Sequence, residues 1–442
     1  MTSRLRLLGS YLRTRHLMHP DRWSSRDELA EWQDRQVRRH IARVVGRSAF
    51  HRERFGGVTD WRSVQTVGKA ETMARFGDAN TAGVRLDEAL EVALRAERER
   101  DFAPLLPNGI AVGLSSGTSG HRGVFLASQA ERDAWAGAIL ARVLPPGGLT
   151  RRHRVAFFLR ASSALYARIG STRIAFDYHD LLDPFEQHVA RLNAAPPSIL
   201  VAPPSVLRML ARETGSGLHI APERVVSVAE VLYDVDRSIV EAAFGAPVHQ
   251  VYQATEGFLG ATCSHGTLHL NETHLVIERE MLDDVRFTPV VTDFTRSTQP
   301  VLRHALNDIL VLRDAPCPCG STMTALSQIE GRQDDAFVLP SQCGGTLVTV
   351  YADFVRRAIL LGANHVDAYT AHQHADGRVD VSLRLDRGGR DAAEAGVRRE
   401  LDALWATLRA APPRVAFVDP PPDMFRPVKM RRVTREHVAG AA

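Results

Sequence analysis

The sequence predicts an α/β protein in two parts: a large α/β domain over residues 1–335, helical over its first 100 residues, and a small α+β domain over residues 336–442. Three observations carry this. Trp23, Leu29, Trp32, Val37, Ile41 and Val45 recur near the helical period, so the N-terminal part reads as amphipathic helices. From Gly109 to Tyr252 short β-type runs alternate with helical ones, the pattern of a sheet with helices on its faces. After Asp335 the pattern changes to a compact mixture of helix, hairpin and strand.

The β-type runs are residues 110–114, 155–159, 199–201, 225–228 and 248–252. Ser128 and Glu131 have capping-box spacing, and Gly245 follows the apolar face of Ile239, Val240 and Ala243, so both ends of the intervening helices are marked. Pro-Pro pairs at 145, 196 and 203 punctuate the loops. In the tail the pattern predicts a helix over 350–361, a hairpin turning at Asp376 and Gly377, a helix over 391–410 and a strand over 415–418. The domain boundary is expected at 334–336.

Composition narrows the function classes. No run reaches the ~18 apolar residues of a membrane span, and arginines break the N-terminal stretch before a hydrophobic core forms, so a cytoplasmic protein without membrane association is expected. The net charge of +4 comes from 55 basic and 51 acidic residues spread along the chain, which does not mark a nucleic-acid binder. Of those 55 only Lys69 and Lys429 are lysines. In so arginine-rich a background a surviving lysine points to a chemical need for a compact ammonium.

Four segments carry candidate chemistry. Ser115, Ser116, Gly117, Thr118, Ser119 and Gly120, continuing through His121 and Arg122 to Gly123, follow a β run and offer amide and hydroxyl donors suited to phosphate oxygens. No G-K-[ST] closes the loop, so it is not a Walker motif, and a structural Ser/Gly turn would read the same way. Tyr252, Thr255 and Glu256 end a strand, where open α/β sheets place ligands; they suit base stacking, phosphate donation and Mg2+, or else a plain strand end with a solvated carboxylate. Asp308 offers two acceptor oxygens to a ribose, and Arg332, Asp334 and Asp335 lie on a turn between the two parts. Finally, Cys317 and Cys319 on a tight turn, with Cys263 and either His265 or His269, offer three thiolates and an imidazole for a structural zinc site; the alternative is free buried thiols and a solvated histidine.

The loop from Ser115, the strand end with Tyr252, Thr255 and Glu256, the carboxylate Asp308 and the turn with Arg332, in this order, resemble the adenylate-forming superfamily of acyl-CoA synthetases, most closely its phenylacetate-CoA ligase branch, from about residue 115 to the C-terminus. The resemblance implies an enzyme that uses ATP and Mg2+, with a mobile small domain. The loop from Ser115 would hold the β- and γ-phosphates. Ala229 and Glu230 would line the adenine, with Tyr252 stacking on it. Thr255 and Glu256 would address the α-phosphate and Mg2+, Asp308 the ribose, and Arg332 the ribose or phosphate. Asp334 would be the hinge, and Lys429 would bridge the attacking oxygen and the α-phosphate. Phenylacetate-CoA ligase-like sequences show a similar cysteine and histidine arrangement, which favours Cys263, His269, Cys317 and Cys319 as zinc ligands.

The implied activity is activation of a small, aromatic carboxylic acid as its acyl-AMP, with release of pyrophosphate and transfer to a thiol or amine acceptor, and it leaves room for a homodimer. Two alternatives stand beside it: adenylation of nitrite for N–N bond formation on an aromatic amine in a biosynthetic pathway, and a non-catalytic nucleotide-binding protein. The sequence departs from the family pattern in three ways. Arg122 stands where a lysine is common, in a loop one residue short. Residues 336–345 replace a glycine-containing hairpin, which counts against coenzyme A as acceptor. No motif marks the acid pocket, for which Arg160, Ser163 and Tyr166 after the Val155 strand are the candidates.

Overall fold

The computed structural model describes residues 2–114, 123–159, 170, 172–363, 366–385, 387–419 and 431–436. The chain divides into two compact units, Met1–Leu306 with Val311–Gln328, and Asn307–Leu310 with Ile329–Ala442. No helix among the described residues is long and apolar enough to cross a membrane.

In the large unit the N-terminal part forms α1 (Ser3–Leu17), α2 (Arg26–Val45), α3 (Ala49–Phe55), α4 (Lys69–Ala74), α5 (Phe76–Ala79) and α6 (Leu86–Glu99). Ser25 caps α2 by accepting from the Glu28 amide at 3.1 Å, and Leu29, Val37 and Val44 fall on its buried face. Val37 and Val44 pack with Phe55, Trp61, Val276, Phe294 and Leu302, and Leu29 packs with Leu17, Trp23 and Met323, so the periodicity read from sequence becomes a helix held against distant strands.

A short antiparallel pair, β1 (Ala111–Leu114) and β2 (Val124–Ala127), leads into α7 (Gln129–Val143). Here α1 lies directly along α7. A Cβ on Gly137 would come within 2.3 Å of the Leu7 carbonyl oxygen, so only glycine permits this approach. Ser3 Oγ donates to Asp133 Oδ1 at 2.6 Å, and Arg6 Nε donates to Asp133 Oδ2 at 3.1 Å.

The sheet core consists of β3 (His153–Leu159), β4 (Ile174–Asp180), β5 (Ile199–Ala202), β6 (Arg224–Ser227) and β7 (Val248–Ala254), parallel in the order β4-β3-β5-β6-β7. Between these strands run α8 (Phe185–Ala194), α9 (Pro204–Glu213) and α10 (Asp234–Phe244). Strand β5 is buried at every position, as a strand covered on both faces must be. Antiparallel strands follow: β8 (Gly257–Thr262), β9 (Leu268–Leu270), β10 (Leu275–Met281), β11 (Arg286–Asp293) and β12 (Val301–Ala305). The division between the units falls inside β13 (Asp308–Leu312) and β14 (Ala325–Arg332).

The small unit contains β15 (Phe337–Pro340), β16 (Leu347–Val350), α11 (Ala352–Gly362), β17 (Val366–Gln373), β18 (Val379–Leu385), α12 (Arg390–Thr407), β19 (Val415–Val418) and β20 (Val433–Arg435). Strand order in its sheet is β19-β18-β17-β20, and its core is built on Phe337, Tyr369, Val397, Leu401 and Trp405. Backbone contact between α11 and α12 depends on Gly362 and Gly396, since a Cβ on Gly396 would stand 1.9 Å from the Gly362 oxygen. One expectation is corrected. Residues 336–345 do not replace a glycine-containing hairpin: β15 and β16 form one, in register from Phe337 opposite Val350 to Pro340 opposite Leu347. Gly344 and Gly345, both at φ +76°, supply the left-handed positions its loop needs.

The capping box at the start of α7 does more than end a helix. Ser128 Oγ and the Glu131 carboxylate satisfy one another's backbone amides, and Glu131 also accepts from the Ser297 amide (2.5 Å), the Thr298 amide (2.8 Å) and Thr298 Oγ1 (2.5 Å). Burial alone would push the Glu131 carboxyl up, but donors on Thr298 and Ser128 outweigh it and hold it below the usual carboxylate range. Glu131→Gln would turn an NH2 group toward these donors and should cost roughly 2–4 kcal/mol in urea unfolding; a loss under about 1 kcal/mol would show the network to be dispensable.

Buried histidines set an acid limit on the fold. Burial pushes His40 down to about 4 and His51 down to about 3 from an ordinary 6.5, with neighbouring arginines adding to the effect. The folded values are depressed, so the unfolded chain takes up protons first as pH falls. Stability from these two groups is therefore present above about pH 6.5 and is lost progressively as pH falls toward about 3. The urea midpoint should fall between about pH 7.5 and about pH 5, and less steeply in a His51→Asn variant; an unchanged slope would remove His51 from the account.

Candidate active site

The carboxyl ends of β6 and β7 present the residues that the sequence singles out. At β6 the chain turns through Ala229, held at φ +67°, a left-handed conformation that a non-glycine residue adopts only at a cost. Glu230 follows, its two carboxylate oxygens accepting from the Ser205 amide (3.1 Å) and Ser205 Oγ (3.0 Å), which ties the β6 end to the start of α9. Tyr252 on β7 is buried. Thr255 and Glu256 form the tight turn between β7 and β8, where Ala254 pairs with Gly257.

Around that turn lies a cleft lined by His51, Lys69, Phe125, Thr255, Glu256, Arg296 and His304, with β2 and residues 299–302 completing its wall. Its assembly is non-local. The Val67 amide donates to the Arg303 oxygen (3.0 Å) and the Ala305 amide donates to the Val67 oxygen (2.9 Å), so the chain just before α4 runs beside β12. That bridge sets Lys69, the first residue of α4, in the same cleft as His304. Gln299 accepts from the Leu126 amide at 2.8 Å and donates to the Val124 oxygen at 3.3 Å, pinning β2 beside the turn. Arg296 Nη1 donates to the Thr255 oxygen at 2.5 Å.

Glu256 Oε1 stands 3.7 Å from His304 Nε2. Burial pushes the His304 imidazole down, outweighing the pull of Glu256. The cleft combines a carboxylate with the cations Lys69 and Arg296. This set suits an anionic ligand brought in with a divalent cation. Lys69 is marked by composition alone; His304 and Arg296 carry no sequence signal, because only the strand bridge and the turn bring them here.

In the small unit Arg332 Nε lies 3.5 Å from Asp308 Oδ1, the Gln333 amide donates to the Asn307 oxygen at 2.7 Å, and Asn307 Nδ2 donates to Asp334. Asp308, Arg332 and Asp334 are therefore brought together. Asp335, unassigned in the sequence, accepts from Arg431 Nε at 3.2 Å. The loop residues Ser115, Ser116, Gly117, Thr118, Ser119 and Gly120, the lysine Lys429, and Arg160, Ser163 and Tyr166 lie outside the described residues.

Cys263, His269, Cys317 and Cys319 converge in the large unit, with ligand atoms all within 4.8 Å of one another. Cys263 Sγ and Cys317 Sγ are 3.7 Å apart, and Cys319 Sγ is 3.4 Å from His269 Nε2. A tetrahedral zinc with ordinary bond lengths sets such edges at about 3.8 Å between sulfurs and about 3.5 Å from sulfur to nitrogen. His269 Nδ1 donates to the Met323 oxygen at 3.1 Å, which leaves Nε2 as the free lone pair facing the thiols. Burial pushes the Cys317 thiol up, but donors including Thr267 and the Cys319 amide outweigh it and hold it at about 6, whereas burial and the neighbouring thiolates push Cys319 up to about 12. His265 is outside the set; it is exposed and only its amide reaches Cys263, at 3.4 Å.

No protein-family model matches the sequence. Protein CapK of Staphylococcus aureus is 27% identical over 163 residues, 36% of this chain and 36% of CapK, so the match spans about a third of that relative. By structure the chain is similar to 2-hydroxyisobutyryl-CoA ligase in its postadenylation state in complex with 2-HIB-AMP, at a TM-score of 0.69 and 17% identity, covering 92% of this chain and 90% of that one. It is also similar to the anthranilate CoA ligase AuaEII in complex with anthranoyl-AMP, at a TM-score of 0.50 and 14% identity over 72% of this chain and 65% of that one. The amide bond synthetase McbA from Marinactinospora thermotolerans matches at a TM-score of 0.50 and 16% identity over 71% and 66%. With a large α/β unit followed by a small α+β unit, the chain has the fold of the adenylate-forming ligases.

Proposed function

We propose that the chain is an ATP-dependent ligase that activates a small carboxylic acid, aromatic by preference, as its acyl-AMP and passes it to a thiol or amine. The observation that carries this reading is the turn of Thr255 and Glu256 at the carboxyl end of β7, with Lys69, Arg296 and His304 around it. An oxygen of the acid attacks the α-phosphorus; the new P–O bond forms as the bond to the β-phosphate oxygen breaks, and pyrophosphate leaves with the electron pair. Ser115, Ser116, Gly117, Thr118, Ser119 and Gly120 hold the departing phosphates through amide and hydroxyl donors. Thr255 donates to the α-phosphate, and Lys429 and Lys69 offset its growing charge. Glu256 would hold Mg2+, which when bound would further neutralise the phosphate oxygens. The ribose falls to Asp308, oriented by Arg332, and the adenine to Ala229, Glu230 and Tyr252. Asp334 is the hinge residue.

Coenzyme A stands as a thiol acceptor on the same footing as an amine, because the hairpin of β15 and β16 is present. The nitrite alternative rests on loss of that hairpin and is not favoured. The Cys263, His269, Cys317 and Cys319 set is assigned to structural zinc: the Cys263–Cys317 and Cys319–His269 edges are close to tetrahedral values and all four positions would be protein ligands.

Pyrophosphate release should be measured across carboxylates, aromatic amines and nitrite. A carboxylate should support release, with Lys429→Ala slower by about 100-fold or more and Lys69→Ala by about 10-fold or more. Release with no acid, or an equally fast Lys429→Ala protein, would overturn the mechanism. After exposure to a mild chelator the protein should retain one zinc per chain, lost in Cys317→Ser; retention below about half an equivalent counts against the site.

A further inference from the structure

The small unit carries a second convergence of ligating side chains, on the parallel pair β17 and β20. His372 lies opposite Thr434 and Gln373 opposite Arg435, so continuing the register sets Glu436 beside His374. Residues alternate faces along a strand, which puts His372 and His374 on one side, together with Thr434 and Glu436. One ligand atom from each of His372, His374 and Glu436 falls within 4.8 Å of the others, and the two rings meet edge to face with centroids 4.7 Å apart.

Each imidazole has one nitrogen committed to an outer partner. His374 Nε2 lies 2.7 Å from Asp380 Oδ2, which leaves Nδ1 directed at Glu436 Oε2, 3.8 Å away. His372 Nδ1 lies 2.8 Å from Thr434 Oγ1, which leaves Nε2. A ring oriented by a carboxylate or hydroxyl on one nitrogen, with the other turned to a shared point, is the arrangement that outer partners impose on metal-binding histidines. Arg378 lies on the Asp380 side: its Nη2 is 3.2 Å from His374 Nε2, and its Nε is 3.3 Å from Asp380 Oδ1. The guanidinium charge is thus paired on the far side of the ring. The Ala375 amide donates to Glu436 Oε2 at 3.0 Å and holds that carboxylate at the strand end.

We propose that His372, His374 and Glu436 bind a divalent first-row transition ion, separate from the cysteine cluster. Two imidazoles and one carboxylate suit Zn2+, Ni2+ or Cu2+ and leave positions for water. Bonds of about 2.1 Å place ligand atoms roughly 3.0–3.4 Å apart, so the set contracts by under about 2 Å, within reach of side-chain rotation at half-exposed residues. The ion fastens β20 to β17 where the chain emerges from residues 420–430, the stretch that includes Lys429.

The test is isothermal titration of Zn2+ into the full chain with its tightly held zinc already accounted for by metal analysis. The wild-type protein should take up one further equivalent with micromolar affinity. His372→Ala with His374→Ala should remove that equivalent while leaving the chelator-resistant zinc, and Asp380→Asn should weaken it by about 10-fold or more. Absence of a further equivalent in the wild-type chain overturns the proposal, whether or not the variants fold, and so does its persistence in the double variant. A folded double variant, confirmed by an unchanged thermal midpoint without added metal, should also lose the Zn2+-dependent rise in that midpoint shown by the parent.

Discussion

The geometry of the cleft rests on one half-buried carboxylate. Glu131 joins the start of α7 to a turn 166 residues later in the chain, accepting hydrogen bonds from both sides at once. Its influence passes from one segment to the next. The turn at Ser297 and Thr298, also tied to Thr81 through a 2.9 Å backbone bond, delivers Gln299 to β2, and β2 is the strand that leaves the Ser/Gly loop. Beyond Pro300 the same segment becomes β12, whose pairing with Val67 places Lys69 and His304. Without Glu131 the amides of Ser297 and Thr298 would lose a charged acceptor in a buried setting, where unmet donors are most costly. A helix cap has become the fixed point of a ligand cleft.

The two lysines gain meaning from this arrangement. In a chain that writes nearly every other cation as arginine, one of the two stands in the cleft with Thr255 and Glu256. Arg296 in the same wall is engaged by the Thr255 carbonyl, so its planar fork serves the turn itself. A rotatable ammonium complements it. Such a group can follow charge as it moves from one phosphate oxygen to another, which a guanidinium locked by its own hydrogen bonds cannot do.

Local patterns are legible in the sequence, and long-range ones are not. The amphipathic period of α2, the capping box at Ser128, the turn at Asp376 and Gly377 and the strand β19 follow from spacing within a few residues. His304 is invisible as a site residue because its significance depends on a bridge to Val67, which no periodicity encodes. The pair of Asp335 and Arg431 is hidden for the same reason. The hairpin of β15 and β16 escapes detection through a different cause: its loop is long, and Pro340 with a flanking cysteine masks the alternation that usually marks a strand. Motif order can suggest which residues belong together, but only register can say what surrounds them.

The cysteine cluster bears on the same turn through a single strand. Strand β8 begins at Gly257, directly after Glu256, and ends at Thr262, directly before Cys263. One end is therefore the candidate phosphate turn and the other a ligand to the cluster. Between them the strand is pinned: the Asn271 amide donates to the Leu259 oxygen at 2.8 Å, Asn271 Nδ2 to the Phe258 oxygen at 2.9 Å, and Arg142 Nη2 to the Ala261 oxygen at 2.5 Å. Desolvation pushes the Arg142 guanidinium down to about 10, and its charge interactions with Cys263 and Cys319 oppose that shift. The cluster stands at the far end of the strand that follows Glu256, and the strand's hydrogen bonds run from one to the other.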